Sequence, residues 1–372
     1  MKDTTSLASK KKLPSPEPAA GLLAYQRERE LALAYSPRRR ENYERYSRSV
    51  RRSAEVDYLP VVLDIENVSR CNFRCIMCDI SNLPKGKRAV DLSLDSFRKL
   101  IDEQYGLVEI KLHGLGEPLL QGEQYFEMIK YARAQHIWVR TVTNGSALKG
   151  NDNYKKLIDT GINEVQVSID GADKETFEKI RRGSKFELVA EGAKLLNDYC
   201  RQKNRLITKM WTMVQRDNMH QLEALVDLAH SLGFSSQTFS LHMHGFGSAE
   251  MISRNAELVV ESKLSSERLE ALVERGKQKG VTVSFWNVHD KYDWKDPEKL
   301  CPWPFERAYI ASDVRTVPCC MVSNPDRYEI GRGKSFTEAW NSDEYAAFRR
   351  AHLTGNLPEV CKACYRTNTD KE

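Results

Sequence analysis

Three cysteines stand at Cys71-x3-Cys75-x2-Cys78 in the stretch SRCNFRCIMCDI, directly after the strand-like run VVLDIEN. Three thiolates on one tight loop can hold three irons of a cubane cluster and leave the fourth iron open to a substrate or cofactor. Three ordinary buried thiols are the plain alternative. Zinc is the other, since a CxxC pair is shared with zinc ribbons, but a ribbon shows a second pair roughly fifteen to twenty residues on. The next cysteine here is the lone Cys200. A second constellation lies near the C-terminus, with Cys301, the adjacent Cys319 and Cys320, and Cys361-x2-Cys364 in NLPEVCKACYRT. On spacing alone, a zinc site of four cysteines remains open for this group.

The elements that must position these thiols alternate along the chain. Short apolar strands are predicted over Val61–Glu66, Leu107–Leu112, Trp138–Thr143, Glu164–Ile169, Ile207–Val214 and Gln237–His242. Amphipathic helices fall between them, over Leu94–Tyr105, Gln124–Gln135, Asn153–Asp159, Lys174–Arg181 with Glu187–Arg201, and Met219–Leu232. Strand and helix in alternation predict an α/β fold, a partial (β/α)6 barrel of parallel strands, and the Pro-, Trp- and Cys-rich end that follows it predicts a small C-terminal domain stapled by a metal centre. The ligand site then belongs at the C-terminal ends of the strands. Short motifs fall in order at those ends: Gly114-Leu115-Gly116-Glu117-Pro118 after the second strand, Thr143-Asn144-Gly145 after the third, and Ser168-Ile169-Asp170-Gly171 after the fourth. Each alone is also a turn signal, but their order along successive strands is informative. His113 on the second strand, and His242 and His244 after the sixth, are candidates for a base or substrate ligand facing the barrel, with hydrogen-bonded packing as the alternative.

The chain divides into a basic, partly disordered and partly helical segment over 1–57, a barrel domain over 58–285 and a Pro-, Trp- and Cys-rich domain over 286–372. Of the net charge of +5, all lies in residues 1–57, which carry thirteen Lys and Arg against eight Asp and Glu. The rest of the chain is balanced, so the charge speaks for a solvated helix or tail and against a nucleic-acid interface. Residues 1–20 have the composition of a disordered tail. The longest apolar runs, such as Val281–Trp286, are strand-sized, which predicts neither a membrane span nor a secretory signal and places the protein in the cytoplasm. In that reducing compartment nine cysteines suit metal or cluster ligation better than disulfides.

The CxxxCxxC loop resembles that of the radical S-adenosylmethionine (SAM) enzymes, and the match falls on Cys71, Cys75 and Cys78. The resemblance implies a [4Fe-4S] cluster whose open iron is chelated by SAM. Met77 stands where the family usually has an aromatic residue. By the same likeness Gly116, Glu117 and Pro118 match the segment that receives the SAM ammonium, with Leu115 in place of the family's first glycine. Ser168 and Arg181 match residues that hold the ribose hydroxyls or the SAM carboxylate, and Asn218 is placed to approach the adenosine or to cap a helix.

Residues from Cys301 to Cys364 are similar to SPASM/twitch domains, which hold auxiliary [4Fe-4S] clusters. Five cysteines, two of them adjacent, imply one auxiliary cluster on Cys301, Cys319, Cys361 and Cys364. Cys319 is preferred because the family's glycine-x4-cysteine spacing puts Val314 at the glycine position, which leaves Cys320 and Cys200 as structural thiols.

The resemblance implies reductive cleavage of SAM, hydrogen-atom abstraction by a 5′-deoxyadenosyl radical, and a flavodoxin or ferredoxin as electron donor. Likeness to single-cluster members of the 2-deoxy-scyllo-inosamine dehydrogenase type points to a dehydrogenase-like oxidoreductase acting on a small-molecule sugar or aminocyclitol alcohol. Modification of a ribosomally made peptide or protein is the second reading, and a non-catalytic zinc-binding adaptor the third.

Overall fold

The computed structural model describes residues 13–81, 90–243, 245–286 and 292–365. Nine strands form one sheet: β1 (Val62–Ile65), β2 (Glu109–Leu112), β3 (Trp138–Thr143), β4 (Glu164–Ser168), β5 (Thr208–Met213), β6 (Ser236–Ser240), β7 (Thr282–Trp286), β8 (Arg307–Ile310) and β9 (Thr316–Val317). Their order is β9-β8-β1-β2-β3-β4-β5-β6-β7. All neighbours run parallel except the β8–β9 hairpin. β1 to β6 are the six strands expected from the sequence, and β7 and β8 extend the curved sheet at its two sides. β8 lies beyond residue 286 yet pairs with β1, so the C-terminal segment completes the sheet.

The helices between strands form for ordinary reasons. In Leu94–Glu103, Ser93 caps the first turn by accepting from Ser96 N, and Phe97, Leu100 and Ile101 at helical spacing turn inward and are buried. Similar apolar stripes on Phe186–Gln202 and Leu222–Ser231 join the central core.

The N-terminal segment departs from expectation. Two helices, α1 (Leu22–Tyr35) and α2 (Pro37–Ser49), are present as predicted. Residues 13–20, however, are not a free tail. Phe285 N donates to Pro14 O at 2.8 Å, Lys209 Nζ donates to Glu17 O at 2.6 Å, and Ala19 N donates to Glu164 Oε2 at 2.8 Å. Tyr25 OH continues the line with a bond to Glu109 Oε2 at 2.7 Å. Glu109, Glu164 and Lys209 stand at the starts of β2, β4 and β5, where buried charges need partners. The segment satisfies them across the end of the barrel opposite the cysteine loop. Arg39, in the basic run read as solvated, is 2% exposed and donates to the carbonyls of Tyr105, Ala32 and Gln135. Charge composition misled here because a guanidinium with enough carbonyl acceptors can be buried.

Candidate active site

The three motif-bearing loops and the cysteine loop meet at the C-terminal ends of β1 to β4. A cavity of about 210 Å³ there is lined by Cys71, Cys75 and Cys78 together with His113, Gly116, Glu117, Ser168 and Arg181. Gly116 is required by close approach, since a Cβ would lie 2.2 Å from Val68 O and 2.6 Å from Arg70 O. Its neighbour Glu117 is 2% exposed and staples β2 to β3, accepting from Thr143 Oγ1 at 2.6 Å, Asn144 N at 2.7 Å and Leu119 N at 3.3 Å. Burial nevertheless pushes its carboxyl up to about 7. Three donors leave it acceptor capacity for one more, and a cationic amine would favour its charged form.

Arg181 is held by short strands: Arg74–Cys75 pairs antiparallel with Arg181–Arg182, with Cys75 opposite Arg181. Its Nη1 is 3.9 Å from Cys75 Sγ, and its Nη2 pairs with Asp170 Oδ2 at 2.8 Å. Arg181 is therefore an 8%-exposed member of the site and not a solvent-facing helix-end cation. Asp170, which anchors it, was not singled out, although its place in the SIDG run after β4 is the signal that could have found it. Asn144 is a second such residue: its Nδ2 lies 2.9 Å from Asn72 Oδ1 and 3.7 Å from Cys71 Sγ. Asn218 serves the loop instead, with its amide donating to Asp170 O and Met213 O and accepting from Gln215 N.

The thiols fit a cluster by their chemistry. Burial raises all three, Cys71 up to about 11, so without metal they are protonated, and bound iron would supply the charge that favours thiolates. Soft thiolate ligands suit iron–sulfur clusters. Among the described residues no three His, Cys, Asp or Glu side chains converge as they would on one metal ion.

Of the histidines, His113 lines the cavity, burial keeps it neutral, and its Nδ1 is buried without a partner. His242 lies instead on a second cavity of about 380 Å³, edge-on to Trp286. His244 lies outside the described residues. Met243 and Phe246 line both cavities, and Val360, Ala363 and Cys364 form part of the second.

The C-terminal cysteines gather around the β8–β9 hairpin and the final helix. Cys301 N donates to Tyr365 OH at 3.0 Å, and that hydroxyl is 2.7 Å from His352 Nδ1, which ties Cys301 to the chain just beyond Cys364. The charges felt by Cys319 are those of Cys320, Cys301 and Cys361. Those felt by Cys320 begin with Asp64, Lys111 and Arg307 of the barrel. Glu66 joins this region to the Gly114–Pro118 loop after β2, accepting from Leu115 N and from Ser312 N, each at 3.1 Å.

Val314, at the family's glycine position, has φ +61 and is exposed. The hairpin thus adopts the left-handed backbone that glycine would take without strain. Val314→Gly is expected to stabilise the protein by about 1 kcal/mol, the left-handed penalty of a β-branched residue less the extra entropy of glycine. Chemical denaturation would check it, with iron content unchanged.

The parallel sheet, the thiol-lined cavity at its strand ends and the second cysteine group define a barrel protein suited to iron–sulfur chemistry. Residues 66–229 match the radical SAM superfamily, and residues 301–365 match the SPASM iron–sulfur cluster-binding domain. Both domains are present, and the chain is a radical SAM enzyme. The first implies a [4Fe-4S] cluster and SAM, and the second implies auxiliary iron–sulfur clusters.

Among curated relatives, a PqqA peptide cyclase of Granulibacter bethesdensis is 22% identical over 84% of this chain and 81% of its own. Mycofactocin maturase MftC of Mycolicibacterium smegmatis is 27% identical over 50% of this chain and 46% of its own. Streptococcus suis SuiB, solved with its precursor peptide SuiA, shares the fold at a TM-score of 0.60 and 13% identity, over 84% of this chain and 71% of SuiB. The two curated names are of a peptide cyclase and a maturase, and neither is of a dehydrogenase-like oxidoreductase, the class expected from the sequence. Among the described residues no helix is long and apolar enough to cross a membrane.

Proposed function

We propose that this protein is a radical SAM enzyme that modifies a ribosomally made peptide. The observation that carries the reading is the likeness to PqqA peptide cyclases, which extends over 84% of the chain and so spans both domains. In this reading Cys71, Cys75 and Cys78 hold the core cluster. Gly116, Glu117 and Pro118 receive the SAM ammonium, and Ser168 and Arg181 its ribose or carboxylate. Cys301, Cys319, Cys361 and Cys364 hold one auxiliary cluster. The bound groups would supply one-electron reductive cleavage of SAM, hydrogen-atom abstraction and electron acceptance, with flavodoxin or ferredoxin as the outside donor.

The chain's own residues do the rest. Glu117 offers a buried carboxylate to the ammonium, and Arg181, braced by Asp170, holds positive charge beside Cys75. Leu115, Met213, Met243 and Phe246 line the cavity and limit water around a reactive radical. His113, which burial keeps neutral, lines that cavity and offers a ring nitrogen for a hydrogen bond to substrate. The second, larger cavity behind Met243 and Phe246 gives a peptide side chain room next to the SAM cavity.

The test is hydrogen transfer. Reconstituted enzyme is incubated anaerobically with SAM, reductant and deuterated short peptides encoded beside its gene, and in parallel with deuterated sugar and aminocyclitol alcohols. Deuterium is expected in 5′-deoxyadenosine from a peptide, together with a change in peptide mass. Transfer from an alcohol and from no peptide would overturn the reading.

A further inference from the structure

Asp79 follows the third cysteine of the core loop and is wholly buried. Its Oδ1 is 2.6 Å from Arg327 Nη2, and its Oδ2 accepts from Asn324 Nδ2 at 3.4 Å. Both partners come from the segment after Cys319 and Cys320, some 245 residues away in sequence. The other terminal nitrogen of Arg327 donates to Phe246 O at 2.7 Å. Phe246 has φ +50, a left-handed backbone that an aromatic residue holds only when its surroundings enforce it, and it lines both cavities. One guanidinium therefore braces the core-cluster loop and the wall between the cavities, from within the C-terminal domain.

We propose that Arg327 is a positioning residue for SAM cleavage: it neutralises Asp79 beside the core cluster and pins Phe246, so that the C-terminal domain sets the reduction potential of the core cluster. The proposal rests on Cys71, Cys75 and Cys78 holding that cluster. A cluster becomes harder to reduce as uncompensated negative charge gathers near it. In a poorly polarisable interior one unpaired carboxylate acts over several ångströms. Arg254 and Asn255 hold the same loop through the carbonyls of Ile76 and Met77, so the loop keeps other anchors when Arg327 is changed.

The test is a redox titration of wild type and variants at one fixed pH. The core cluster is identified by the change that SAM makes to its EPR signal. With iron content unchanged, Arg327→Gln is expected to lower the reduced-to-oxidised ratio at fixed potential about tenfold, which is about 59 mV for a one-electron couple. Adding Asp79→Asn is expected to restore it, and Arg327→Lys to keep most of it. An unshifted potential in Arg327→Gln, or a shift that Asp79→Asn leaves in place, overturns the proposal, because a purely structural role predicts no charge-dependent rescue. Should Arg327→Gln lose iron, the comparison passes to Arg327→Lys and Asp79→Asn alone. Asp79→Asn is then expected to raise the potential above that of the wild type, and no rise overturns the proposal. A wild-type protein with no SAM-responsive cluster would instead sink the reading of the cysteine loop.

Discussion

Replacing any one of Cys71, Cys75 and Cys78 by alanine is expected to abolish SAM cleavage, with 5′-deoxyadenosine formation falling by at least about a thousandfold, on the scale of losing a catalytic group. The physical reason is that the three thiols share one loop and no fourth protein thiol lies on the cavity they line. Two remaining thiolates cannot keep a cubane while presenting an open iron. Each variant should lose about four irons per chain while keeping the folded α/β spectrum by circular dichroism. The loop's backbone has anchors that do not depend on the metal, such as the bond from Ile76 N to Ile180 O at 3.0 Å. Retained SAM cleavage in any of the three single variants would remove that cysteine from the ligand set.

The second large effect separates two adjacent residues. Cys319→Ala is expected to remove the auxiliary cluster, lowering iron from about eight to about four per chain and product formation by a hundredfold or more, on the order of losing an essential redox group. Cys320→Ala is expected to leave both nearly unchanged. Burial raises both thiols; the charges nearest Cys319 after that of Cys320 are Cys301 and Cys361, whereas for Cys320 the barrel charges Asp64, Lys111 and Arg307 come before Cys364. Reductive SAM cleavage without substrate should survive in Cys319→Ala, since the core site is separately liganded. Iron loss in Cys320→Ala with retention in Cys319→Ala would reverse the assignment.

Strand-end chemistry was legible because period and punctuation act locally. The runs ending at Leu112, Thr143 and Ser168 announce strands, and GLGEP, TNG and SIDG follow them at once, so a barrel site could be drawn before any contact was known. The two added strands were harder to place. Thr282–Trp286 reads as a strand but not as a neighbour of β6, and Arg307–Ile310 lies in a segment whose proline and cysteine content hides its pairing with β1. Pairing over such sequence distances is decided by packing, not by local pattern. Residues 13–20 and Arg39 show the reverse error. Their composition speaks of solvent, but buried acids at the strand starts and free carbonyls at helix ends recruit them.

Residue type and spacing alone marked out the two cysteine groups, the α/β alternation and the order of motifs along the chain, because each depends on neighbours a few residues apart. Only the folded chain could show that Asp170 braces Arg181, that Glu66 ties the loop after β2 to the β8–β9 hairpin, and that Arg327 reaches back to Asp79. Those links join residues far apart in sequence. Buried charges find partners by proximity in three dimensions, and a linear pattern carries no record of which partner that is.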